Sequence, residues 1–155
     1  RKEFTVWVKF QVDAYREGEI VRLIRRNLRQ SNSNTTFSIT VGGTSLSAAV
    51  FKGGEFIATP SGVTFSDKDP NVVAIGFSPA LLKCYGNGFE RVRELEDFSM
   101  NDIGVFTIGG LVNHDDMTFS QVFIGRIDEI RIYDKLLTSE ELDAIESINN
   151  TKGDM

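Results

Sequence analysis

The sequence has very few of the residues that form covalent cross-links, thiolate metal sites or membrane spans. Cys84 is its only cysteine, so neither an internal disulfide nor a cysteine-rich zinc site can form within the chain. His114 is its only histidine, and no Gly-x-Ser-x-Gly sequence is present, which argues against a serine hydrolase triad. No apolar run approaches the roughly 20 residues of a membrane helix, so we expect no membrane insertion.

The net charge and the length of the chain limit which classes of protein and partner remain possible. The 155 residues carry a net charge of −5, and a nucleic-acid-binding protein would need a basic surface to neutralise phosphates. We therefore expect no nucleic-acid partner. Apolar residues at 41% and charged residues at 25% are ordinary for a globular protein, and this length is most economically a single domain over residues 1–155.

Short alternating segments dominate the chain. In residues 4–12 (FTVWVKFQV) Phe4, Val6, Val8 and Phe10 share one face, which we expect to be the core face. Glycine, proline and asparagine turns separate further strand-like segments at intervals near ten residues, and Asn87-Gly88 is a tight-turn dipeptide. Strands without intervening helices predict an all-β, antiparallel sandwich. The predicted strands after the first cover residues 20–26, 37–41, 45–51, 56–59, 63–65, 71–78, 81–85, 89–95, 105–108 and 122–133, with a loop over residues 112–118.

The chain ends in a strand, a link over residues 134–137 and one short helix. Thr138 and Glu141 have the spacing of a capping box, so we expect the helix to begin there. Leu142, Ile145 and Ile148 recur at helical spacing and predict one apolar face. We expect this helix to lie across an edge or rim of the sandwich.

Three parts of the chain resemble one known family. FTVWVKFQVDA followed by EIVRLIRRN is similar to the opening strands of laminin G-like domains in the concanavalin A-like lectin/glucanase superfamily. NVVAIGFSPALLKCYGNG resembles the central hairpin of that family, and FIGRIDEIRIYDKLLTSEEL resembles its closing strand and helix. The resemblance implies a jelly-roll sandwich of two antiparallel sheets. It also implies that the domain is excised from a larger protein and lacks an N-terminal strand, because only three residues precede Phe4.

The superfamily includes glucanases, so catalysis has to be considered. Those enzymes resemble one another in a Glu-x-Asp-x-Glu strand, which places the carboxylates on one face. Here Asp128 and Glu129 are adjacent and point to opposite faces, and Glu94 with Glu96 lacks a third member at the required spacing. We therefore expect no enzymatic activity, with a glycoside hydrolase as the least favoured function.

Candidate ligand residues fall on strands and loops. Trp7, Tyr15 and Tyr85 either stack on a sugar or pack in the core, and His114 is either a ligand contact or a solvated loop residue. The Asp128 carboxylate is expected to be buried or half-buried and to accept hydrogen bonds from loop amides or from Arg126; the alternative is a metal ligand.

Calcium is the candidate cofactor, because it prefers oxygen ligands and loop residues can supply them. The first candidate site is Asn113, Asp115 and Asp116, and the second is Asp67 with Asp69.

The favoured function is a non-catalytic recognition module within an extracellular, cell-surface or virion protein. It would bind carbohydrate, or a glycosylated or protein partner on a cell surface. The alternative is a structural domain of a phage tail or head fibre that packs against other domains or copies of its parent protein. That alternative predicts exposed apolar area along the edge that lacks a strand.

Overall fold

A computed structural model describes residues 3–13, 20–27, 36–42, 45–52, 55–60, 63–66, 69–96, 105–109, 111–113, 118–120 and 123–153. These residues form thirteen strands and one helix. The strands are β1 (Phe4–Val12), β2 (Ile20–Asn27), β3 (Thr36–Gly42), β4 (Ser45–Lys52), β5 (Glu55–Ala58), β6 (Val63–Thr64), β7 (Asn71–Ser78), β8 (Leu81–Gly86), β9 (Phe89–Glu94), β10 (Val105–Ile108), β11 (Leu111–Asn113), β12 (Thr118–Ser120) and β13 (Gly125–Tyr133), and the helix is α1 (Ser139–Gly153).

The strands form two main antiparallel sheets. One has five strands in the order β13-β1-β7-β8-β9. The other has the order β10-β2-β3-β4-β5, with β6 paired to β4. β11 and β12 form a separate two-stranded hairpin. The predicted all-β jelly-roll sandwich with a single C-terminal helix is confirmed, and within the described residues β13 and β9 are the edges of the five-stranded sheet.

The main core lies between the two sheets and follows from strand alternation. Val6, Val8 and Phe10 of β1 are fully buried there, as their spacing predicted, together with residues of β4, β7 and β8. Phe10 makes an edge contact with Phe123, their ring centroids 5.8 Å apart. Burial in this core raises the pKa of the Cys84 thiol to about 12.

A second apolar layer covers the outer face of the five-stranded sheet. Trp7, Val72, Ala74 and Tyr85 project from β1, β7 and β8, and Leu137 and Leu142 pack on them. The helix therefore lies across the central strands, which corrects the prediction that it occupies an edge or rim. Of its expected apolar residues, Leu142 is buried and Ile145 is half-buried, whereas Ile148 is 54% exposed and does not belong to the packed face.

Local geometry confirms one predicted turn and changes two predicted segments. Asn87 and Gly88 have φ values of 52° and 80° between β8 and β9, as a tight turn requires. The predicted loop over residues 112–118 instead includes parts of the β11 and β12 hairpin. The closing strand begins at Gly125 rather than at residue 122.

The closing strand β13 also contains a bulge. Lys9 lies opposite Glu129 but Phe10 lies opposite Ile127, so Asp128 is an extra residue. Such an insertion changes which residues face the core. Ile127 and Ile130 pack against the main core, while Asp128 lies outside it.

Candidate ligand-binding site

The predicted capping box begins α1 as expected. The Glu141 amide donates to Thr138 Oγ1 over 3.2 Å, and the Thr138 amide donates to Glu141 Oε2 over 3.0 Å. Lys135 Nζ donates to Glu141 Oε1 over 2.7 Å. The pKa of Glu141 is lowered by this lysine and by the backbone hydrogen bond at Thr138. The structural roles of Thr138 and Glu141 are thus visible in the hydrogen bonds.

The link before the helix is tied to β1 through one threonine. Thr5 Oγ1 donates to the Lys135 carbonyl over 2.8 Å and accepts from the Leu137 amide over 2.9 Å. Lys83 Nζ adds a hydrogen bond of 3.3 Å to the Leu137 carbonyl and an ion pair of 3.2 Å to Glu90. These contacts fix where α1 starts, so the helix is held on the outer face from its first turn.

Trp7 lies beneath this layer rather than at the surface. Its side chain is fully buried, and the Arg131 guanidinium lies 5.2 Å from the ring centroid. Its indole Nε1 has no hydrogen-bond partner among the described residues. Of the two alternatives for Trp7, the structure shows core packing, because the ring is not accessible to a sugar from solution.

Tyr85 is buried in the same layer. Its hydroxyl donates to Asp143 and also lies 3.2 Å from Glu146 Oε2, so two carboxylates of α1 approach one phenol. Burial, followed by the hydrogen bond to Asp143, raises the pKa of Tyr85 above its ordinary value of 10.0. This ring also packs in the protein instead of forming a surface for sugar stacking.

Asp128 lies outside the core but keeps its predicted partner. It accepts a hydrogen bond of 2.6 Å from Arg126 Nε. The residue as a whole is exposed, and its side chain is 27% exposed. The bulge is the reason that Asp128 lies outside the core, since counting strict alternation back from Ile130 through the extra residue gives the wrong face. Ile132 lies opposite Val6, away from the bulge, and is 61% exposed in an edge strand. Glu129 and Arg131 form an ion pair, 2.6 Å apart.

The remaining predicted ligand residues are mostly outside the described part of the chain. This applies to Tyr15, Asp67, His114, Asp115 and Asp116, while Asn113 is described only as the last residue of β11. Asp69 accepts a hydrogen bond from Ser66 Oγ over 3.2 Å. In the described residues, no group of three His, Cys, Asp or Glu side chains could hold a metal ion. The calcium site stays a prediction.

One exposed strand face has the chemistry that a ligand site needs. On β9, Phe89, Arg91 and Arg93 lie opposite Gly86, Cys84 and Leu82, so all three residues share the face directed towards the second sheet. Phe89 is 53% exposed, Arg93 is exposed and Arg91 is half-buried. We call these three residues the β9 face.

The β9 face combines an accessible aromatic ring with two guanidinium groups. Successive residues on one face of a strand are about 7 Å apart, comparable to the width of a sugar ring. Arg91 Nη1 donates to the Glu90 carbonyl over 2.9 Å, and none of the ion pairs found among the described residues involves either arginine. Sequence reasoning missed this face, although the alternation in FERVRE placed the three residues together, because their exposure depends on β9 being an edge strand.

No helix in the described part of the chain is long and apolar enough to cross a membrane.

A comparison with curated proteins gives no match. Three solved structures illustrate the structural similarity. The CBM40 of the Ruminococcus gnavus IT-sialidase bound to alpha2,3 sialyllactose has 19% identity and a TM-score of 0.68, with 93% of this chain and 82% of that chain covered.

A heptameric SAP-like pentraxin from Limulus polyphemus has 14% identity and a TM-score of 0.64, covering 93% of this chain and 69% of that chain. Domains LG4-5 of the mouse laminin alpha1 chain have 14% identity and a TM-score of 0.67, covering 90% and 38%. At these identities the similarity establishes the fold. The family model of the concanavalin A-like lectin/glucanases superfamily, of the laminin G type, matches residues 3–143, and the chain therefore belongs to this family.

Proposed function

We propose that this domain is a non-catalytic recognition module that binds carbohydrate through the β9 face. The observation that carries the proposal is the exposed Phe89 ring beside two arginines on one strand face. The fold is supportive, since the similar R. gnavus CBM40 structure is a complex with sialyllactose. The parent protein would present the module outside a cell or on a virion.

The chemistry of the β9 face favours an acidic sugar. An aromatic ring stacks on the apolar face of a pyranose. A guanidinium group forms paired hydrogen bonds with a carboxylate or sulfate more readily than with a neutral hydroxyl. Phe89 would therefore supply affinity for the ring, and Arg91 and Arg93 would select glycans that carry a negative charge.

A structural or assembly role is the second candidate function. It is favoured by the exposed Ile132 and Ile124, which lie in or next to the edge strand β13. The apolar area that this role requires is therefore present at one edge of the five-stranded sheet. The same edge could receive a protein partner without involving the β9 face.

Glycan binding is tested on an array containing neutral and acidic oligosaccharides, followed by calorimetry with and without calcium. We expect acidic glycans to bind and Phe89→Ala to weaken binding about tenfold, corresponding to about 1.4 kcal/mol of lost stacking. Ile148→Ala removes another exposed apolar side chain, far from β9 in sequence, and should leave affinity unchanged. Arg93→Gln should weaken acidic glycans more than neutral ones.

Two results would contradict the proposal. An absence of binding to every glycan, with calcium and with a chelator, would exclude carbohydrate recognition. Binding that Phe89→Ala and Arg93→Gln leave unchanged would move the site away from the β9 face.

A further inference from the structure

We infer that two copies of this chain associate through their β13 strands in a symmetric, antiparallel pairing centred on Ile130. In the described structure β13 pairs with β1 on one side only. An edge strand presents backbone amides and carbonyls on its other side, which another strand can pair with. β13 has nine residues and carries Ile132, which is 61% exposed.

The charges of β13 favour a second copy of the chain as its partner in this register. A two-fold axis between two β13 strands would join the two sheets into one. Residues that lie opposite each other then project from the same face, and the residue on the axis lies opposite the same residue of the other copy. With Ile130 on the axis, Glu129 of each copy lies opposite Arg131 of the other. With the axis on Glu129 or Arg131, two like charges meet. The sequence of β13 is therefore complementary to itself in this register.

The side chains needed for this pairing lie on the correct face and are accessible. Glu129 and Arg131 are opposite Lys9 and Trp7, on the outer face of the sheet, and their side chains are 36% and 31% exposed. Within one chain they already form an ion pair. Association would join two such pairs into a four-charge network. Ile130 would meet its copy, and the exposed Ile132 would be covered beside Asp128 of the other copy.

The other edge of the same sheet provides an internal comparison. On β9, an axis placed on Glu90, Arg91 or Arg93 brings a residue against an identical charge. An axis on Val92 places Arg91 opposite Arg93 and Glu90 opposite Glu94. Like charges directly opposite each other are destabilising. The charge pattern therefore favours self-association at β13 and opposes it at β9 in the registers centred on residues 90–93.

Sedimentation velocity of the full chain, over a concentration series up to the millimolar range, measures the association. A contact between two strands is small for a protein interface, so we expect a weak dimer. Arg131→Glu and Glu129→Arg should each raise the dissociation constant about tenfold or more, because two favourable pairs become repulsive. Glu94→Arg, a matched change on β9, should leave it unchanged.

Mixing the two single variants gives the decisive result. A dimer of Arg131→Glu with Glu129→Arg places two glutamates opposite two arginines, so association should return in the mixture although each variant alone associates more weakly than the wild type. Thermal melts followed by circular dichroism check that each variant is folded. Arg131→Glu also removes the contact with Trp7. If that variant does not fold, the dissociation constants of Glu129→Arg and its control Glu94→Arg test the inference without it.

A chain that stays monomeric throughout the series would overturn the inference. So would a dimer that both charge reversals leave intact, since the contact would then lie elsewhere.

Discussion

Replacing Leu142 with alanine tests the placement of α1 on the outer face of the five-stranded sheet. Leu142 is 1% exposed and packs in the layer that contains Trp7 and Tyr85. Truncation of a buried leucine to alanine costs about 2 to 5 kcal/mol, depending on how far the surroundings collapse into the cavity. One side of this layer is a single helix that can shift inward, so we expect the lower part of the range, about 2 to 3 kcal/mol.

The same helix supplies the control. Ile148 continues the helical spacing of Leu142 and Ile145 but is 54% exposed. Ile148→Ala should change the free energy of unfolding by no more than about 0.5 kcal/mol, as is usual for surface positions. If α1 packed along its whole predicted apolar stripe, both alanine variants would cost similar amounts.

Urea unfolding measures both variants with a probe inside the layer itself. Trp7 is the only tryptophan and is fully buried there, so its fluorescence reports on the contact between helix and sheet. Circular dichroism in the same titration follows α1. Equal losses in the two variants, or a loss below about 0.5 kcal/mol for Leu142→Ala, would refute the packing. A lower m-value for Leu142→Ala would show that the helix has left the sheet.

Two further predictions concern the attachment of α1. Thr138→Ala removes the side-chain oxygen that accepts the Glu141 amide and should lower the free energy of urea unfolding by about 1 kcal/mol; an unchanged midpoint would contradict the cap. Tyr85→Phe removes the hydrogen bond to Asp143 and should cost about 1 kcal/mol at pH 7. Because the folded-state pKa of Tyr85 is raised above 10.0, its stabilisation is complete below pH 10 and is lost as the pH rises beyond it. The difference between wild type and Tyr85→Phe should therefore shrink above pH 10, and a constant difference in urea titrations across that range would contradict this account.

Local patterns were sufficient for most of the fold. Alternation in residues 4–12 correctly assigned Val6, Val8 and Phe10 to the core between the sheets. The positive-φ turn at Asn87-Gly88 and the cap at Thr138 also follow from short-range chemistry, since each requires only a few neighbouring residues. These features could be predicted because the residues that determine them are adjacent in sequence.

The features that the sequence left open, missed or mispredicted depend on contacts between distant segments. Alternation showed that Trp7 faces away from the main core, but it could not show that Leu142 would cover that face. The bulge at Asp128 depends on how β13 pairs with β1, more than a hundred residues away in sequence. The exposure of Phe89 likewise depends on the strand order, which alternation within a strand does not specify.

The position of α1 determines which surfaces of the five-stranded sheet are available to partners. The helix covers the outer face of β1, β7 and β8, and the second sheet covers their inner face. Partners are therefore left with the two edge strands, which differ in chemistry: β9 presents an aromatic ring with two arginines on one face, and β13 presents a glutamate and an arginine that complement their own copies. Because these edges are at opposite ends of the sheet, pairing at β13 would leave both β9 faces open. If the β9 face binds glycans as proposed, a dimer would display two such sites on one continuous sheet, and a surface dense in glycans would bind it more tightly than either site alone, since the second contact forms at a raised effective concentration.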